Sequence, residues 1–422
     1  MNALNLLTSF LRQLPFIALI ILNTITALGQ NQIKSFAVGA YIIDMGQNTT
    51  INAGLKPYGL VYALIQAKVP VYWSINSAKS KDGSDFTLPV NAGGKIYSGG
   101  PFIISAEDAS SITGVSTLIS TWRTKGAVID GPISAPFEAP VFNVITSWPR
   151  AILDTQNDNL ITPYYTNAEV PSASYVTEGD PTELTSCGDI YVLPHADPQN
   201  WPMSYVRALK SYIDIGGFLW VGCHAVSALD LGWPSTGITI SKASPAKVSW
   251  TAHGFVAGDQ VKFYSSGTLP SPLVAGTTYY VISEGLNANV FEISGTSGGA
   301  AINTSVAGSG AITSVPGFNF LTTNGLEPWT NLNYNGVNYT GHNNPAATDV
   351  YTYNPVTAAD PVMQFMGRMD ASLHNGSEEI YLPRSGSSWR GTTTVAVYDN
   401  NYADSKTDVT YVFPANPAVL VA

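Results

Sequence analysis

Charge is what this chain has least of. Asp, Glu, Lys and Arg together make up 11% of the 422 residues, against about 25% in an average soluble protein. Basic residues are scarcest, 19 against 29 acidic, for a net charge of −10. A nucleic-acid partner is thereby excluded, since neutralising phosphates takes a basic stripe. Cysteine is nearly absent, with only Cys187 and Cys223. A disulfide-stapled miniature fold is ruled out, and the length is enough for two or three cores without such support. Beyond the first 29 residues no apolar run approaches the ~20 residues of a membrane helix. Polar surface comes instead from Gly, Tyr, Ser, Thr and Asn, a balance that suits a secreted or cell-surface protein.

Residues 1–29 carry a single charge, Arg12, then the apolar stretch Leu14 to Leu22 and a small-residue exit at Ala27 and Gly29. This pattern predicts a secretory signal peptide ending near Gly29, with an uncleaved anchor as the alternative. No membrane span is expected after its removal. At the other end "PAVLVA" closes the chain without a turn, which predicts either a buried last strand or a continuation into a longer protein.

Between these ends, strand-like and helix-like segments alternate. "FAVGAYIIDMG" reads as a strand, "GLKPYGLVYALIQAK" as a helix and "VPVYWSI" as a strand. The pattern repeats through "PFIIS", a helix that Gly126 ends, and "AVIDG". Val141 to Ile145 is the expected strand of a further unit. Ile190 to Leu193, a helix carrying Met203, Val206, Leu209 and Ile213 on one face, and Phe218 to Gly222 form the clearest βαβ unit. Such alternation predicts an α/β fold with a mainly parallel, Rossmann-like sheet. Near residue 237 the composition shifts to short strands separated by Gly, Pro and Ser turns, predicting an inserted all-β module over 237–315. The α/β domain then spans 30–236 and resumes at 316–422. "GGKIYSGGP" lacks the Lys-Ser/Thr ending of a phosphate loop and reads as a hairpin turn.

In a parallel sheet the ligand crevice lies beyond the carboxyl ends of the strands. His195 and Asp197 follow one strand and Cys223 and His224 the next, so these four should meet at one sheet edge. Cys187 precedes its strand while Cys223 ends its own. That separation, roughly 17–20 Å, is too long for a disulfide, which needs Cα atoms within about 7 Å. Cys223 therefore stands as a buried core residue, a nucleophile, a metal ligand or, should the strands not be parallel, a disulfide partner. His195, His224 and His342, with Asp197, also offer ligands of the kind a divalent metal such as zinc accepts. His253 and His374 read as structural or surface residues. Asn48, Asn303, Asn338 and Asn375 begin glycosylation sequons, and Trp201, Trp233 and Trp389 are candidates for stacking on sugars.

The span "DIYVLPHADP…ALKSYIDIGGFLWVGCHAVSAL" resembles the core of the class I glutamine amidotransferase-like superfamily, and "GGFLWVGCHA" its trehalose-utilisation (ThuA-like) group. The blocks "KPYGLVY", "PHADP", "GCHAVSAL" and "NGSEEIYLP" are similar to a family of secreted bacterial proteins, a likeness that brings no activity with it. "AHGFVAGDQVKFYSSGTLPSPLVAGTTYYVI" resembles the β module likened to the first catalytic-cysteine half-domain of ubiquitin-activating enzymes, found in phage tail and surface proteins. It implies a presenting role without thioester chemistry, since the module has no cysteine. The amidotransferase elbow wants glycine two residues either side of the nucleophile. Val221 and Ala225 flank Cys223, Gly222 and Val226 flank His224, and the ThuA-like register places His224 at the elbow. The resemblance implies a crevice that binds or hydrolyses a small polar or carbohydrate-derived ligand. The rival expectation is a non-catalytic adhesion module built on a degenerate enzyme fold.

Overall fold

The computed structural model describes residues 32–46, 55–185, 189–196, 201–231, 235–314, 318–326, 351–367 and 386–399. It adds short runs at 332–334, 337–339, 342–343, 378–379, 381, 383 and 418–421. The expected signal segment 1–29, Cys187, Asp197, Trp233, His374, Asn48 and Asn375 lie outside the described residues. Among those described, no helix is long and apolar enough to cross a membrane. The protein is of mixed α/β class, and the chain divides into two compact units. One runs through Trp148 and regains Pro355–Gly367; the other holds Pro149–Asn354 and the chain from Arg368. The division thus falls inside the stretch read from sequence as one α/β domain, 30–236.

The first unit contains β1 (Gln32–Phe36), β2 (Tyr41–Ile43), α1 (Lys56–Gln66), β3 (Val71–Trp73), β4 (Ser84–Thr87), β5 (Ile96–Ser98) and β6 (Phe102–Ile104). It continues through α2 (Ala106–Ser111), α3 (Val115–Thr124), β7 (Ile129–Asp130), β8 (Phe137–Val141) and β9 (Asn143–Ile145). Strands and helices alternate as their periodicity predicts, but the sheet is antiparallel throughout, in the order β7-β2-β6-β3-β9. The expectation of a parallel sheet here is overturned. The crossover from β2 through α1 leads to β3, yet β6 inserts between them and runs the other way; β6 and β7 are likewise split by β2. This is the split βαβ arrangement.

Strand alternation sorts the core of this unit into two layers. Ile43, Phe102 and Ile104 pack against Leu60, Leu64, Ile119 and Trp122 of α1 and α3. Ile42 and Ile103 point the other way, onto Phe36, Phe137, Phe86 and Tyr97 of the β1–β8 and β4–β5 pairs. Gly93 and Gly94, at φ of 100° and 63°, lie in the connection of the β4–β5 hairpin, where the Gly-rich loop was expected to turn.

The second unit is built on a parallel sheet. Its strands are β10 (Arg150–Asp154), β11 (Tyr175–Gly179), β12 (Asp189–Leu193) and β13 (Phe218–Val221), in the order β11-β10-β12-β13. The strand expected at Val141 to Ile145 belongs instead to the first unit, and β10 follows it after Pro149. The short apolar core of β10, Ala151 to Leu153, is fully buried on both faces. Two helices, α5 (Met203–Asp214) and α6 (His224–Leu231), share one face with Ile152, Tyr191 and Leu193. Tyr165 of α4 (Thr162–Ala168) packs on the opposite face with Ala151, Leu153 and Val192. Chain direction from strand to strand therefore reverses between β10 and β12.

The chain then enters β14 (Ser235–Ile240), β15 (Val248–Ser249), β16 (Gln260–Ser265), β17 (Thr278–Val281), β18 (Val290–Phe291), β19 (Ile293–Ser294) and β20 (Ile312–Ser314). Their order is β18-β15-β14-β20-β16-β17-β19. Since β18 and β19 are interrupted only at Glu292, the two ends of the order meet and the sheet closes on itself around Val248, Phe263, Phe291 and Ile293. Closure removes exposed strand edges. β14 pairs antiparallel with β20, Ser235 opposite Ser314, so the chain enters and leaves this barrel side by side. His253 is buried inside it, its Nδ1 accepting from the Phe255 amide at 2.9 Å. After the barrel, Pro361–Met363, within a stretch with helix-like spacing, forms only a short 3₁₀ turn, and Ala418–Val421 pairs with Val395–Asp399.

Candidate active site at the sheet edge

β12 and β13 run parallel in a register that sets Leu193 opposite Val221. The ladder extends one step further, the Gly222 amide donating to the Leu193 carbonyl at 2.9 Å. His195 and Cys223, each two residues beyond that pair, consequently leave the sheet at the same level. The His195 Nδ1 lies 3.0 Å from Cys223 Sγ. Both residues are half-buried.

The backbone at Cys223 is unusual. Its φ is +51°, a left-handed conformation that a side-chain-bearing residue adopts only when its surroundings impose it. Three constraints do so here. β13 ends at Val221 and α6 starts at His224, leaving two residues to turn the chain. Gly222 has no room for a side chain, since a Cβ there would stand 2.8 Å from the Pro194 carbonyl oxygen. On the far side the Cys223 carbonyl accepts from the Tyr381 hydroxyl at 3.1 Å and from the Val226 amide at 3.1 Å. The strained turn is thus centred on Cys223, where the ThuA-like register had placed His224. Gly222 supplies the close approach to the Pro194 carbonyl.

None of the other expected site residues has a described side chain. His224 opens α6, and its side chain lies outside those described. Asp197 is outside as well. His342 lies in the strand His342–Asn343, opposite Glu379, with its side chain undescribed. Among the described residues no group of three His, Cys, Asp or Glu side chains converges as a metal site would require. Cys187 lies outside the described residues, so its separation from Cys223 stays an expectation.

Sequence reading missed the neighbouring loop. Asn157, at φ +66° after β10, donates its side-chain amide to the His195 carbonyl and steadies that loop. Asp154, the last residue of β10, is fully buried; it accepts from the Tyr191 hydroxyl and from the Gln156 amide at 2.8 Å. Burial raises its pKa above the ordinary 3.8, against the lowering effect of those two hydrogen bonds. A raised folded-state pKa means that the folded chain holds the proton longer than the unfolded chain does. The associated stability is complete below the ordinary value and is lost as pH rises through the folded one. The stability of the protein relative to an Asp154→Asn variant should therefore fall as pH rises above the ordinary carboxylate value of 3.8. Urea unfolding of both proteins at several pH values checks this; a difference that grows with pH contradicts it.

Neither a family model nor a curated protein matches this chain.

Proposed function

We propose that this edge is a thiol-dependent active site, with Cys223 as nucleophile and His195 as its base, in a secreted or surface protein of the amidotransferase-like class. The observation that carries the reading is the strained Cys223 turn with the imidazole Nδ1 at 3.0 Å. The order β11-β10-β12-β13, with its reversal between β10 and β12, supports a Rossmann-like core, in which ligands sit beyond such a reversal.

In this reading Nδ1 takes the proton from the Cys223 thiol and the sulfur attacks an electrophilic carbonyl carbon, forming a C–S bond. The imidazolium returns the proton to the departing amine or alcohol, and water then cleaves the thioester. The developing oxyanion would be met by backbone N–H groups at the start of α6 other than that of Val226, which is bonded to the Cys223 carbonyl. The polar loop Thr155 to Asn157 suits a small polar or carbohydrate-derived substrate. Zinc is the weaker alternative, as His195 and Cys223 are its only described ligands.

Iodoacetamide labelling from about pH 5 to about pH 9, with Cys187 and Cys223 read separately by mass spectrometry, tests the proposal. Fast labelling of Cys223 near neutral pH is expected. Labelling no faster than that of the denatured chain would sink it. The rival adhesion-module reading requires that Cys223→Ala leave every binding property unchanged.

A further inference from the structure

A second cleft lies in the same unit, of about 230 Å³, between α5, the barrel strands β16 and β17, and the returning chain at Phe318 and Asn319. Neither His195 nor Cys223 lines it. The whole chain has only 19 Lys and Arg residues, yet Arg207, Lys210, Lys262 and Arg390 all border this space, against the single carboxylate of Asp259.

Elsewhere among the described residues several cationic groups are matched by carboxylates. Lys79 meets Asp85, Lys95 meets both Asp44 and Asp130, and Arg150 meets Asp189. In the cleft Asp259 is already engaged by Arg207 at 2.8 Å. Arg207 also donates to the Gly254 carbonyl, and Arg390 to the Asn319 carbonyl. Asp259 offsets one of the four charges, that of Arg207, while Arg390 is held by a neutral carbonyl and acts on the buried Asp230 carboxylate, which does not line the cleft. Lys210 stands one helical turn from Arg207 on α5, and its link to Asp214 is a loose, exposed 3.4 Å pair, of the kind worth little. The space is therefore cationic in an otherwise acidic protein.

We infer that this cleft binds a small organic anion, a sugar-sized molecule carrying a carboxylate or a phosphate. The volume admits a single ring, Val206 and Phe318 give it an apolar wall, and Thr278 and Gln260 offer hydrogen bonds. The inference is independent of the chemistry at Cys223.

Isothermal titration calorimetry of the full chain with glucuronate and with glucose 6-phosphate tests it, with glucose as the uncharged control. Saturable binding of at least one anion and none of glucose is expected, weakening as salt is added. Glucuronate alone would assign a carboxylate, and glucose 6-phosphate alone a phosphate ester. Lys210→Gln with Lys262→Gln should weaken binding by at least about tenfold in a chain that circular dichroism shows still folded, and Arg390→Gln alone should weaken it less. No saturable binding of either anion below about 10 mM, equal binding of glucose, or affinity unmoved by both sets of substitutions would overturn it.

Discussion

His195→Ala is expected to slow alkylation of Cys223 near neutral pH by about a hundredfold, the lower range of what a positioned base contributes, with little change in stability. The two parts of this expectation rest on different observations. The rate depends on Nδ1, which stands 3.0 Å from the sulfur, and alanine removes it. The stability depends on how the loop is held, and that is done by the backbone: the Asn157 amide bonds the His195 carbonyl, not its ring. The ring itself is only half-buried. His195→Gln separates base from donor, since it keeps a polar side chain but takes no proton at this pH, and it should label as slowly as alanine. Equal rates in wild type and both variants would remove the base from the mechanism.

Asp85→Ala should cost the first unit about 3–5 kcal/mol, the range for removing one partner of a buried ion pair. Lys79 and Asp85 have side chains only 3% and 0% exposed, with Nζ and Oδ1 at 2.7 Å. The carboxylate also accepts from the Asn76 amide at 2.9 Å and the Gly100 amide at 2.8 Å. Alanine would leave a buried ammonium and two backbone donors unmatched. Lys79→Met should cost less, because both amides still reach the remaining carboxylate. The lysine also reaches the Gln364 side-chain oxygen at 2.5 Å, and Gln364 donates to the Asp360 carbonyl at 2.8 Å. One ion pair thereby ties Pro355–Gly367 to a unit from which it is remote in sequence. Urea unfolding followed by tryptophan fluorescence measures both variants. A loss under about 1 kcal/mol for Asp85→Ala would show that water or rearrangement replaces the pair.

The sequence carried much of this architecture, unevenly. Alternating strands and helices were legible because each segment shows its own period. Which strand lies beside which was not, since β6 is apolar like β2 and β3, and nothing local tells that it slips between them. β10 escaped notice because its apolar core is three residues long, framed by Arg150 and Asp154. The meeting of His195 and Cys223 followed from two strand ends once their parallel pairing was assumed. The turn at Cys223 was less legible. Its flanking Val221 and Ala225 break the expected glycine spacing, and two of its supports, the Pro194 carbonyl and Tyr381, are contacts across the fold. Asn157, which steadies His195, had no signal beyond its position in a polar loop.

The antiparallel pairing of β14 with β20 has a mechanical consequence. Tension pulling Ser235 away from Ser314 would load that pair across its hydrogen bonds at one end, breaking them one after another instead of shearing them together. Loaded from that end, the pair would open as a zip does. The chain on either side is tied first, the Phe318 amide to the Leu229 carbonyl at 2.8 Å and the Asn319 amide to the Asp230 carbonyl at 3.1 Å, so a pull from outside reaches the barrel only once this clamp has yielded.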